Sequence, residues 1–497
     1  MENNNAINND SFYKLLLFSF FIVIITYGFA LTNFTLSIDN EIPILPDFGL
    51  DGGRWGQNLI RYHLFKGHLQ YFSLLLSLLL FSLAAVRLSK IFNFKGLSAY
   101  FFCGLFLTFP EISYQIVFSM MADVAAFGVL LCVLSVELFE KGLETKKITK
   151  KIFSFSIAVL LIVFSVSIYQ ALIVVPISIY LILFFQKTFA ETFNLYEELK
   201  KLFLFGVIIL ISAFVYYMSV KIICPPTEGA YLATYLSGNN DNQFLNFGSI
   251  WLKNMAGSYY YGERLFIVVA IISLFLFVRF FIDKKRALIR FASLFVILIL
   301  TFFISYFITN GYHPPRLYVT SNLVFAFIIV FIISKYKLIF FSTTSFVVGF
   351  ICITNIYFVT NLFYSLNKIY KHDRKIAERI DDVIQSKYPD FATSKKTVYF
   401  YGYFPYDYHQ RFRLDKSEIF GGSFYVWDNG NNYRINNFFK VADIAEYNMI
   451  ETKAQFNSIK DSINKMPIWP NFESIKMINN VVVVKIGAEE GMPISVE

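Results

Sequence analysis

Apolar runs of about twenty residues recur along the first 365 positions of this sequence, and nothing else in it restricts the fold as strongly. A chain crossing a bilayer must satisfy every backbone N–H and C=O within itself, which a helix of about 20 residues does. Eleven such runs are read, at 14–36, 69–87, 97–115, 119–138, 152–169, 171–186, 202–223, 264–282, 288–308, 317–334 and 338–361. The first is too long for a signal-peptide core and has no small-x-small cleavage site, so it is expected to remain as an anchor. The predicted fold class is a polytopic α-helical membrane protein of about eleven spanning helices (residues 1–365), followed by a soluble α/β domain (residues 366–497).

Only 16% of the residues are charged, against about 25% in soluble domains. The formal charge of +9 does not mark a nucleic-acid binder, because the basic residues fall in short segments between apolar runs. Lys141, Lys146, Lys147, Lys150 and Lys151 fill one such segment, and Arg279, Lys284, Lys285, Arg286 and Arg290 another. Lys and Arg concentrate on the cytoplasmic side of membrane proteins, so the N-terminus is predicted inside and the C-terminal domain outside. The four cysteines (Cys103, Cys132, Cys224, Cys352) form no disulfide framework, and the five histidines no zinc pattern. No cofactor is expected and no metal-ligand cluster is read, while a divalent-metal requirement is left open by the sequence. No internal repeat is visible, which weighs slightly against a transporter.

In the last 130 or so residues an amphipathic helix is expected near 367–387, with Ile369, Ile376, Ile380, Val383 and Ile384 at helical spacing. Strands are expected at 397–403, 423–427 and 481–486, with a turn-rich aromatic stretch over 402–437.

Ionisable residues gather at the outer ends of the spans. Asp39 and Glu41 follow the first span directly, a pair suited to general-base chemistry or simply to a solvated loop. Arg54 lies between Gly52, Gly53, Trp55 and Gly56, where it would grip a phosphate or begin an interfacial helix. Asp123 sits about one turn inside a span, which marks function or an ion pair. Glu111, in the preceding outer turn, is expected in solvent. Tyr169 and Gln170 lie in another outer turn, placed to hydrogen-bond a sugar or to sit at the interface. His313 and Arg316 flank Pro314 and Pro315 in a short outer link, and phosphate binding is favoured over snorkelling there. The 224–263 segment, with Tyr231, Tyr235, Trp251 and Tyr259, reads as a lid or as an interfacial helix.

These features in order, with F-G-G-S-F-Y-V-W-D-N-G-N-N-Y-R over 420–434 and P-I-W-P-N-F-E-S-I-K over 467–476, resemble the bacterial serotype-converting O-antigen glucosyltransferases of the membrane Gtr type. The likeness covers nearly the whole chain and implies a GT-C-like transferase of the bacterial inner membrane. It would move glucose from undecaprenyl-phosphate glucose to O-antigen or a related envelope glycan on the periplasmic face, by inverting displacement. Carried over by residue, Asp39 and Glu41 match the acidic pair, and Arg54 and Arg316 the donor-side arginines. Trp427 and Asp428 match the tryptophan–aspartate turn expected to meet the acceptor. An O-antigen polymerase or ligase would not need the acidic pair. A polysaccharide flippase or other transporter would carry polar residues along its whole spans, not at one end.

Overall fold

Each apolar run folds as helix over most of its length, as its composition requires. The computed structural model describes residues 2–224, 242–284, 286–308, 311–338, 342–390, 397–404, 412–450 and 452–491. Tyr231, Tyr235 and His409 lie outside the described residues. Among those described, eight helices are long and apolar enough to cross a membrane: Ser11–Thr32, Gln70–Ile91, Ala122–Glu144, Ile148–Ile168, Gln170–Lys187, Leu195–Ile223, Glu263–Asp283 and Ser342–Lys387. Three shorter apolar helices, Leu97–Thr108, Ala287–Leu300 and Ser321–Lys335, account for the other runs. The chain is a polytopic helical membrane protein.

It divides into two compact units. The first comprises Met1–Leu31 and Ile44–Thr360, the second Thr32–Pro43 and Asn361–Glu497. The segment after the first span therefore folds with the C-terminal region, although sequence order had left it with the membrane part.

Within the first unit, Ser321–Lys335 is buried almost all round, with Leu323, Val324, Phe325, Ala326, Phe327 and Val330 in the interior. Leu195–Ile223 shows the opposite, exposing Leu210, Phe214 and Ile222. Apolar side chains exposed along a whole helix face are unfavourable in water and favourable against lipid. The 224–263 segment is not all irregular: Gln243–Met255 is a helix. It buries Phe247 and Ile250 and exposes Phe244, Leu245 and Leu252, the pattern of an interfacial helix.

The second unit is a small α/β fold. Its sheet runs β2-β1-β4-β3, from β1 (Thr397–Tyr401), β2 (Asn448–Met449), β3 (Ile475–Ile478) and β4 (Val481–Lys485). β1 pairs in parallel with β2 and β4, and β3 is antiparallel to β4. The strands alternate between two cores, as the two-residue period dictates. Val398, Phe400, Val482 and Val484 face Ile376, Ala377, Ile380 and Ile384 of Ser342–Lys387 together with Phe438 and Phe439 of Asn432–Val441. Tyr399, Tyr401, Val481 and Val483 face Ile459 and Ile463 of Lys453–Asn464.

The run at 423–427 is not a strand. Its aromatic and β-branched residues suit one, but Ser423 Oγ and the Phe424 N–H both donate to the buried carboxylate of Asp373, at 3.0 and 2.8 Å. Those bonds hold the segment as a turn, and Phe424 and Tyr425 fill the core from there. Tertiary contacts override strand propensity.

Candidate active site

The second unit assembles one cluster of charge from three pieces of chain. Leu36 and Ile38 are inserted in its main core, and Asn367 Nδ2 donates to Thr35 Oγ1 at 2.7 Å and to the Phe34 carbonyl at 3.2 Å. The chain then turns, Asn40 N–H to Ser37 O and Ile42 N–H to Asp39 O, with Asp39 at φ 74°. This fixes Asp39 and Glu41 beside the domain to which their unit belongs. A second turn, at Trp427–Asn429, holds Asp428 at φ 50°. Gly430 follows at φ 73°, and a Cβ there would lie 2.3 Å from the Gly402 carbonyl, so the turn needs glycine.

The third piece is the start of Asn432–Val441. Asn431 caps it, accepting from the N–H groups of Tyr433 and Arg434. Asn432 ties it to β1, exchanging 2.7 Å bonds with the N–H and C=O of Phe400. Arg434 is thereby held in the first turn, where the helix dipole disfavours a cation. Three carboxylates reverse that field. Arg434 Nη1 donates to Glu41 Oε1 at 2.5 Å, Nη2 reaches Asp39 Oδ1 at 2.7 Å, and Nε donates to Asp428 Oδ2 at 2.5 Å.

The acids differ in exposure: 28% of the Asp39 side chain is open to solvent and 0% of Glu41. Glu41 Oε2 is buried without a hydrogen-bond partner. Burial pushes the Glu41 carboxyl up to about 7, Arg434 opposes that shift, and the charge of Asp39 adds to it. The sequence reading had paired Asp39 with Glu41 and Trp427 with Asp428, and the structure brings Asp39, Glu41 and Asp428 onto one guanidinium. It had missed Arg434. The Trp427 ring packs partly against the core, with only part of it open.

The remaining predicted residues lie in the first unit, in three settings. Around Arg54, Nε donates to Gln170 Oε1 at 3.4 Å and the guanidinium lies 5.2 Å from the Tyr169 ring centre. Gln170 also donates to Gly52 O and to the Tyr216 hydroxyl, which in turn donates to Gly53 O at 3.1 Å. Gly53 has φ 70°, and a Cβ there would meet that hydroxyl at 3.0 Å. Arg54, Tyr169 and Gln170 thus come together, with Tyr216 as an unanticipated fourth member.

Asp123 pairs with Arg61, their side chains 2% and 1% exposed. Arg61 also donates to the carbonyls of Met120 and Ser119. This resolves the intramembrane acid as a satisfied ion pair. Asp123 also borders a cavity of about 840 Å³ whose other lining residues, His63 apart, are apolar, among them Leu64, Leu80, Phe127 and Phe164.

His313 and Arg316 occupy the third setting. The Tyr259 hydroxyl donates to His313 O at 3.1 Å, Gln115 Nε2 donates to Arg316 O, and the Arg316 guanidinium stacks 4.7 Å from the Phe118 centre. Burial lowers the His313 imidazole below its ordinary value, so it is neutral at pH 7 and offers an anion a dipole, not a charge. Glu111, expected in solvent, is buried and accepts from Gln115 Nε2 at 3.3 Å. The turn that carries it folds inward as the helix Glu111–Ile116.

Against known proteins, the sequence model described as Glucosyl transferase GtrII matches residues 28–333. No curated protein and no solved structure matches the chain.

Proposed function

Because the chain belongs to the glucosyl transferase GtrII family, whose members are glucosyltransferases of the cell envelope, we propose that it moves a glucosyl group from undecaprenyl-phosphate glucose to O-antigen or a related envelope glycan on the periplasmic face. The observation that carries this reading is the set of carboxylates on Arg434, with a partly open Asp39 backed by a buried Glu41. In this scheme the three shorter helices also cross the membrane, giving eleven crossings, a cytoplasmic N-terminus and a periplasmic C-terminal unit.

In the proposed reaction an acceptor hydroxyl attacks the anomeric carbon, and the bond from that carbon to the phosphate oxygen breaks. The leaving polyprenyl phosphate keeps the electron pair, the hydroxyl proton passes to a carboxylate, and a single displacement inverts the anomeric centre. Of the acidic pair after the first span, Asp39 is the one open to an acceptor, and general-base catalysis contributes about 10²–10⁴-fold. A phosphate leaving group needs no protonation but gains charge, which cations stabilise. Arg54, steadied by Tyr169 and Gln170, and Arg316, beside neutral His313, are the donor-side candidates. Trp427 and Asp428 are the acceptor-side candidates, and Asp123, paired with Arg61, is the polar group proposed for the wall of the cavity of about 840 Å³.

The test is transfer in proteoliposomes, with radiolabelled undecaprenyl-phosphate glucose as donor and polysaccharide extracted from the host envelope as acceptor. Asp39→Asn is expected to lower the rate by about 10²–10⁴-fold while the protein stays folded. A loss under about tenfold would reject Asp39 as the base.

A further inference from the structure

We propose that Arg434 is a positioning residue for this transfer: it yokes Glu41 to Asp39, so that Asp39 meets the acceptor and Glu41 acts on Asp39 only through the guanidinium. The inference rests on the glucosyl-transfer reading above and assigns the two acids different parts.

Geometry separates the acids. An acceptor hydroxyl must come within hydrogen-bond reach of its base. Glu41 has one oxygen on Arg434 Nη1 and the other enclosed, with none of its side chain in contact with solvent. Asp39 has Oδ1 on Nη2 and stays 28% open. Both Asp39 and Asp428 reach Arg434 from left-handed backbone, a conformation that persists in non-glycine residues only where the surroundings enforce it. Arg434 is 13% exposed and spends all three of its nitrogen positions on carboxylates from three turns of chain. A lone buried ion pair is weak evidence for stability. Three acids on one base leave a surplus of negative charge.

The groups facing Glu41 are Arg434 and Asp39, with Asp428 on the far side of the same guanidinium. With its carboxyl pushed up to about 7, Glu41 changes charge near neutral pH. When Glu41 is protonated, Arg434 is shared by fewer negative charges and holds Asp39 more firmly. When Glu41 ionises, it competes with Asp39 for the guanidinium and leaves Asp39 freer to meet the acceptor. Transfer should therefore rise with pH through about 7, although the titrating group is not the base.

The experiment compares wild type, Asp39→Asn, Glu41→Gln, Arg434→Lys and Arg434→Gln in the proteoliposome assay between pH 5.5 and 8.5, with melting followed to confirm folding. Glu41→Gln is nearly isosteric and tests the inference even if the Arg434 variants fold poorly. It should lose the rise near pH 7 and run roughly tenfold below the wild-type plateau. Arg434→Lys keeps a charge but cannot bridge three acids. It should lose roughly tenfold to hundredfold in kcat with donor KM within about twofold, and Arg434→Gln should lose at least as much. Wild-type pH dependence in Glu41→Gln, together with near-normal kcat in Arg434→Lys, would overturn the yoke while an inactive Asp39→Asn left the transfer reading standing. A loss in Glu41→Gln as deep as in Asp39→Asn would also overturn it, since Glu41 would then be the base. Full activity in Asp39→Asn would bring down the transfer reading itself.

Discussion

Two buried charge clusters, one in each unit, are built from the same residue types to opposite effect. In the helical unit Arg61 meets one carboxylate, Asp123, and spends its remaining donors on the carbonyls of Met120 and Ser119. In the C-terminal unit Arg434 meets three carboxylates, one of them with an oxygen left unbonded. The first is balanced and saturated. The second is oversupplied with acid, and burial raises its Glu41 carboxyl to about 7. A buried Arg–Asp contact does not by itself mark a working site; the two clusters differ in the ratio of acids to bases and in the unbonded oxygen of Glu41.

The sharpest way to break this contrast is to remove one acid from each cluster. Asp39→Asn should abolish most transfer, as stated above, and leave the melting temperature near that of wild type. Asp123→Ala should act first on stability, leaving Arg61 buried without a counter-charge at a loss of about 3–5 kcal/mol. Detergent-solubilised protein would show this as a lower melting temperature and poor recovery, and Asp123→Asn as a milder version with partly reduced activity. If Asp123→Ala were stable but inactive, the balanced pair would have to be reclassified as catalytic.

A smaller effect is expected at the cations outside both clusters. Arg316→Ala should raise the donor's apparent KM, lower kcat, or both, by about tenfold, with Lys restoring only part. Wild-type kinetics in both variants would leave Arg316 as an anchor stacked on Phe118.

The proton held by the second cluster should also be visible in stability. Burial raises Glu41 from 4.5 to about 7, and Asp373 from 3.8 to about 7. The folded state thus binds these protons more tightly than the unfolded chain. Their contribution to stability is full below pH 4 or so and is lost as pH rises through about 7. Melting of the wild type should fall between pH 6 and pH 8 by more than that of Glu41→Gln, a difference on the order of a few degrees. The smallest effect is expected at Trp427, whose ring is partly used by the core: Trp427→Ala should raise the acceptor's apparent KM by only about threefold to tenfold.

The helical part was legible because each span must satisfy its own backbone and be apolar along its length, so composition alone exposes it. The acidic pair after the first span was legible for the related reason that charge is sparse there. Arg434 was not, because its partners at 39 and 41 lie nearly 400 positions away and no local pattern reports a contact of that range. Its only signal was its place at the end of the 420–434 stretch, six residues after Asp428. The strand expected at 423–427 is replaced by a turn because Asp373, fifty residues upstream, takes the Phe424 N–H that a sheet would use and also binds the Ser423 hydroxyl. Glu111 is expected in solvent because outer turns usually are wet, whereas here a short helix folds it inward.

The incorporation of Thr32–Pro43 into the C-terminal unit imposes an order on biogenesis. Leu36, Ile38, Asp39 and Glu41 leave the ribosome early, yet the core and the arginine they need are made 393 residues later for the Glu41–Arg434 contact. At roughly 5–20 residues per second the segment waits some 20–80 seconds without its partners. A nascent or truncated chain ending before residue 434 would hold all its membrane helices and lack the arginine on which Asp39 and Glu41 converge. Transplanting residues 361–497 onto another carrier would likewise give an incomplete fold unless the twelve-residue segment 32–43 travelled with them.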